Sequence, residues 1–205
     1  MAAARRAAER SLGTVPAERN LGGLTALTQA QLAGHCFPEA VASARKLCDL
    51  APEKSFSHAL LVDALLEYGD RDQAKAALER MSRIDPESIV THSRRASIAL
   101  LSGDSAAARD QFRAALLVAK QLTPPMPETV AWCHVQLGEV AFQRGNWDDS
   151  ERSYQAALKV FPNYYAALDH LAELRAARKD YAGALALYQP LAARSAGCMF
   201  RNTPD

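Results

Sequence analysis

A chain of 205 residues that is 49% apolar can bury a core of its own, and its 24 basic and 23 acidic side chains almost cancel. That balance excludes a global field for nucleic acid or an anionic membrane, so a charged partner must be met by a local patch. Cys36, Cys48, Cys133 and Cys198 have no CxxC spacing, which points to a reducing compartment, and no run approaches the roughly 18 apolar residues of a membrane span.

In chain order, Met1 to Arg10 is rich in Ala and Arg but lacks the apolar stretch of a secretory signal, and Glu9 argues against a mitochondrial presequence. The expected location is therefore cytoplasmic. Ala4, Ala8 and the stop at Pro16 give residues 1–20 the look of an extra helix, the remnant of a degraded or truncated repeat.

From residue 21 the punctuation repeats. Pro52, Pro86 and Pro162 each close an apolar-periodic run in a phrase of the type LAP, IDP or VFP, and the first two are 34 positions apart. Before each set of second-helix residues stands a turn, Gly69-Asp70, Gly103-Asp104 or Gly145-Asn146, in which one residue ends a helix and the next caps another. A small residue follows at Ala40, Ala74, Ala108, Ser150 and Ala184, where two helix axes have to approach closely. One turn later comes a bulky residue at Leu78, Phe112, Tyr154 and Tyr188, with Ala44 in the first unit.

Together these signals resemble the tetratricopeptide repeat (TPR) family. The best unit is 131–164, where Leu137-Gly138, Gly145, Trp147, Ser150, Tyr154, Ala157 and Pro162 occupy signature slots, although Ser150 and Ala141 depart from the usual Ala and Tyr. The resemblance implies an all-α, right-handed α-solenoid of about five helix-turn-helix pairs, at 21–54, 55–88, 89–122, 131–164 and 165–198, followed by a tail at 199–205. Residues 123–130 (TPPMPETV) break the phase, and their three prolines predict a kink or an enlarged loop. The second helix before them is expected to run long, to about Lys120. In the fifth unit Lys179 replaces the turn glycine, and Pro190 is expected to bend or end the last helix.

Such repeats bury their apolar faces only by stacking. The resemblance implies that the first helix of each unit lines a concave groove where peptides or partner helices bind. The lining would hold Phe56, Leu60, Asp63 and Glu67, then Val90, Arg94, Ser97 and Leu101. Further along it would hold Trp132, Gln136, Glu139 and Gln143, then Asp169, His170 and Glu173. Five of these residues are acidic against the single cation Arg94, so the expected ligand carries apolar side chains with Lys or Arg, unless the carboxylates only solvate a surface. Trp132 is read as an exposed anchor, with burial under the proline-rich loop as the alternative. A Lys/Asn clamp for acidic chaperone tails is missing from this lining.

No constellation predicts an enzyme, a cofactor or a metal. His58, His92 and His134 share one slot of successive repeats, but packed helices lie about 8–10 Å apart, too far to converge on an ion with ligand bonds of about 2.0–2.1 Å. They are read as structural, whereas His170 faces the groove as a contact or pH-sensitive group. Cys133 and His134 are consecutive on a helix and point apart, so they do not form a nucleophile pair. Trp147, Tyr154, Phe161 and Tyr188 recur at repeat spacing and are read as core. Leu185 and Leu187 occupy slots that earlier units fill mostly with polar residues, which marks an association surface for the tail, a second copy forming a homodimer, or further repeats.

The function expected from all this is a protein–protein interaction scaffold or adaptor. The alternatives are a recruiting or regulatory segment of a larger enzyme and, against the acidic lining, an RNA-binding helical repeat.

Overall fold

The computed structural model describes residues 20–189 and Arg6. Along them run α1 (Leu21–Ala33), α2 (Phe37–Leu50), α3 (Ser55–Tyr68), α4 (Arg71–Ile84) and α5 (Ile89–Leu101). They are followed by α6 (Ser105–Gln121), α7 (Pro127–Gln143), α8 (Trp147–Val160) and α9 (Tyr165–Ala177). A tenth helix, α10, occupies 181–189. The described residues contain no strand. The readings for residues 1–19, for Pro190 and Cys198, and for the tail lie outside the described residues, Arg6 apart.

The turn chemistry works as the sequence reads. The residue that ends the first helix of a pair is left-handed at Gly69 (φ 92°), Gly103 (φ 79°) and Gly145 (φ 72°). Space is not the reason for glycine there, since an added Cβ would meet nothing within 4 Å. Lys179 (φ 65°) and His35 (φ 56°) hold the same conformation in the fifth and first pairs, at a cost of about 1 kcal/mol for a residue with a Cβ. The next residue then caps the following helix: Asp70 accepts from the Gln73 N–H (3.1 Å), Asp104 from Ala107 (2.9 Å) and Asp180 from Gly183 (2.9 Å).

Each second helix buries a narrow stripe. On α4 the buried residues are Ala74, Ala77, Leu78 and Met81, an i, i+3, i+4, i+7 set. The small slot is fully closed at Ala40, Ala74, Ala108 and Ser150, and nearly so at Ala184.

Contacts divide the chain between Ser102 and Gly103 into two compact units. In the first, each of α1 to α4 lies against the next helix, and α1 also touches α3, as α3 touches α5. Its core joins Ala40, Val41, Val62, Leu65, Leu78 and Met81. In the second unit α6 to α9 are likewise packed in sequence, with α7 against α9, around Ala131, Val135, Tyr154, Leu171 and Leu174. The division falls within 89–122 rather than at the insertion.

The insertion makes neither a kink nor a large loop. It is taken up by lengthening α6 and α7 to 17 residues each, where the neighbouring helices have 13 or 14. The added turns are held by burial of Ala119 and Val130. Pro127 does sit in a helix, but in its first turn, where the missing N–H has no partner to lose. Pro124 and Pro125 stay in the short link.

Three aromatic readings change. Tyr154 is core, 1% exposed, but Trp147, Phe161 and Tyr188 are 37–38% exposed. They lie at the ends of helices or on α10 and are only partly covered there, Phe161 by the edge-on ring of Tyr164 at 5.7 Å.

Candidate functional site

In the first unit the side-by-side packing of α3 and α5 brings Asp63 against Arg94. Arg94 Nε donates to Asp63 Oδ1 (3.0 Å) and Nη2 to Oδ2 (2.5 Å), a two-point pair of which about a third or less is exposed on either side. Arg94 Nη1 also donates to Ser93 Oγ (3.0 Å), and Ser97 turns its hydroxyl back to the Ser93 carbonyl (3.1 Å). Arg94 is therefore not a free cation awaiting a ligand, because its charge is already spent on Asp63. Glu67 is exposed on the next turn of α3, and Phe56, Val90 and Leu101 supply exposed apolar surface.

In the second unit the corresponding face is built by α7 and α9. His170 Nδ1 lies 2.9 Å from Glu139 Oε1 and 3.0 Å from Glu173 Oε2, and its ring stacks on Tyr154 at 5.6 Å. The hydrogen bond to Glu139 does most to lift the His170 pKa to about 9, with Glu173 adding to it against the opposing effect of burial. The same bond lowers the Glu139 pKa. At neutral pH His170 is thus a cation between two carboxylates. Glu139, His170 and Glu173 are also the set of described residues whose ligand atoms gather within 4.8 Å as a metal site requires. The nitrogen that would bind the metal is the one whose proton now joins the two carboxylates, so an ion would have to displace that proton.

The other predicted lining residues divide. Gln143 is exposed, whereas Gln136 and Asp169 are half-buried. Trp132 is not a free anchor: it is half-buried, and its ring meets Phe112 of α6 edge-on at 6.1 Å. The ring it meets belongs to the middle of α6 rather than to the proline-rich link.

Residues 131–164 match the family model of the tetratricopeptide repeat. That segment is a tetratricopeptide repeat. No curated protein matches it. Among solved structures, a thermophilic TPR protein from Thermus thermophilus aligns with a TM-score of 0.69 at 21% identity, covering 88% of each chain. PilF of Pseudomonas aeruginosa aligns at 0.67 with 16% identity over 87% of this chain and 78% of its own. Yeast Tom70 aligns at 0.72 with 17% identity over 91% of this chain but 38% of its own. At these identities the likeness establishes the all-α TPR solenoid as the fold.

Along the chain the pairing of first helices follows a rule that reading one residue at a time missed. Asp63 to Arg94 and Glu139 to His170 are each 31 positions apart, so the ninth residue of one repeat meets the sixth residue of the next in both units. Spacing alone carried that signal.

The remaining candidates fall into place locally. His58 is buried, with Nε2 donating to the Pro52 carbonyl (2.8 Å) and Nδ1 3.6 Å from Cys48 Sγ. Buried His92 lies 3.5 Å from Glu87, and the His134 pKa is lowered by burial and by Lys120. Burial raises the Cys133 thiol to about 11, which keeps it protonated and unreactive at neutral pH. Of the two leucines marked for association, Leu185 is 58% exposed, but Leu187 packs on the second core. Alternating leucines on a helix face different ways, so only one can be surface. What sequence reasoning missed altogether is a group of arginines on the other side of α7.

Proposed function

We propose that the chain is a protein-binding scaffold whose first-helix faces hold a peptide or partner helix carrying apolar side chains with Lys or Arg. The observation behind this reading is the packing of α3 against α5, and of α7 against α9, which sets Asp63 beside Arg94 and Glu139 beside His170 within their units. TPR arrays bind partners on such faces. Internal pairing reduces the negative charge on each face but leaves an excess. Asp63 and Glu67 stand against Arg94 in the first unit, and Glu139, Asp169 and Glu173 against His170 in the second.

The partner's cations would meet Glu67 and Glu173, the more exposed carboxylates, and its apolar groups would meet Phe56, Val90 or Leu101. No catalytic chemistry belongs to this reading. Among the described residues no helix is long and apolar enough to cross a membrane. Cys36, Cys48 and Cys133 are free thiols, as a protein at work in the reducing cytoplasm would keep them. Self-association through Leu185 of α10 is part of the same reading.

A peptide array probed with wild-type protein and with a Glu67→Lys/Glu173→Lys variant tests it. Selection of basic, apolar-containing peptides by the wild type, lost in the variant, is the expected result. An array without that preference, or with the preference intact in the variant, overturns it.

A further inference from the structure

The second unit contains a cleft of about 390 Å³ between α6, α7 and α8. Its rim carries Arg109 and Arg113 from α6, Arg144 from the end of α7 and Arg152 from α8, and its floor includes Leu137, Val140 and Ala141. On α7 the cleft residues His134, Leu137, Val140, Ala141 and Arg144 point on average about 130° away from Trp132, Gln136, Glu139 and Gln143, at 3.6 residues per turn. The cleft is therefore on a different side of the helix from the carboxylate and histidine face.

Its charge is opposite too. Four arginines face Asp149 on the lining and Asp110 just beside it. Arg152 pairs with Asp149, and Arg109 Nη2 lies 3.1 Å from Asp110. Arg113 reaches the same Asp110 only at 3.9 Å with its side chain 63% exposed, and among the described residues no carboxylate pairs with Arg144. Two positive charges are left over, at Arg113 and Arg144, on different helices. His134 is held toward its neutral form by burial and by Lys120, so it adds a hydrogen-bonding group to the wall without adding charge.

The arginines come from three helices and share the cleft with Leu137, Val140 and Ala141, a mixed lining that a small anion alone would not use. We infer that this cleft binds an extended acidic peptide segment, with carboxylates on Arg113 and Arg144 and an apolar side chain on Leu137 and Val140. Guanidinium groups suit this task because each offers several fixed N–H donors to a carboxylate. The chain then presents two faces of opposite preference, one for basic partners and one for acidic ones. This site stands independently of the function proposed for the first-helix faces.

The test is fluorescence anisotropy at low salt with a labelled Asp/Glu peptide carrying one central leucine, against a Lys/Arg peptide with the same leucine. Inorganic phosphate and oligouridine serve as competitors. Wild-type protein should bind the acidic peptide, and Arg113→Glu/Arg144→Glu should weaken it at least about tenfold. Arg113→Gln/Arg144→Gln should lie between, and Glu173→Lys on the other face should leave it unchanged. Both arginines are exposed, so far-UV circular dichroism should show unchanged helix content, and the Gln variant carries the test if the Glu variant does not fold. Failure of the acidic peptide to bind, equal binding by the variants, or stronger binding of phosphate or oligouridine than of the peptide overturns the proposal.

Discussion

The two units use the same pair of repeat positions to join their first helices, and they fill them differently. In the first, Asp63 holds Arg94 by two parallel hydrogen bonds. In the second, Glu139 shares His170 with Glu173, and the ring is propped on Tyr154. A guanidinium stays charged at any physiological pH, whereas an imidazole keeps its charge only while its carboxylates hold the proton. The comparison shows that a repeat slot prescribes a charge pair but leaves its response to pH to the residue chosen.

A second contrast lies beneath it. The eighth and twenty-fourth residues of a repeat are Val62 and Leu78 in the first unit but Gly138 and Tyr154 in the second, a trade of volume between facing helices. A Cβ on Gly138 would lie 2.3 Å from Tyr154 Cε1, in the core. Gly138→Val should therefore be the most damaging single change, costing about 3 kcal/mol or more. Adding Tyr154→Leu should recover part of the loss by recreating the pair found in the first unit. Thermal melts of the single and double variants check this, and a double variant no more stable than the single would show that the trade is not what sets the packing.

Breaking the charge pair comes next. Asp63→Asn should cost about 1 kcal/mol, because it leaves a partly buried guanidinium with a weaker acceptor. Urea denaturation would measure it, and an unchanged midpoint would reduce the pair to surface decoration.

The turns offer a gain of similar or smaller size. Lys179→Gly should stabilise the protein by up to about 1 kcal/mol, by relieving a left-handed residue, and Gly145→Lys should lose a similar amount. A melt in which Lys179→Gly gains nothing would mean that the lysine side chain compensates for its backbone.

The finest distinction is in pH. His170 has a folded-state pKa raised to about 9 from the ordinary 6.5. Its charge pairing therefore stabilises the fold fully below pH 6.5, and the contribution fades as pH rises through about 9. Proton NMR of the His170 ring should place the midpoint near 9, and Glu139→Gln should move it back toward 6.5. A His170 midpoint unchanged by Glu139→Gln would remove Glu139 as the main cause.

Much of the fold was legible because it rests on local chemistry repeated at a fixed interval. The Gly-Asp turns, the small residue at Ala74 or Ser150 and the proline stops each act over one or two helical turns, where identity and spacing suffice. The insertion was misread because proline in a loop and proline in a first turn look alike until the neighbouring helix is in place. Val130 and Ala119 had to be buried for α6 and α7 to lengthen.

That Asp63 and Arg94, and Glu139, His170 and Glu173, lie on neighbouring first helices was legible in outline. Their charge states were not. Arg94 and His170 read as free groups when each helix is taken alone, and they became paired only when residues 31 apart were brought side by side.

By itself, then, the sequence determined the helix pairs, their turns and the buried stripe, because those depend on periodicity and on backbone preferences within a few residues. Only the tertiary structure decided which charges remain unspent. It left Arg113 and Arg144 with excess charge over an apolar cleft while cancelling Arg94, because the electrostatic state of a side chain depends on what packing places within a few ångströms of it.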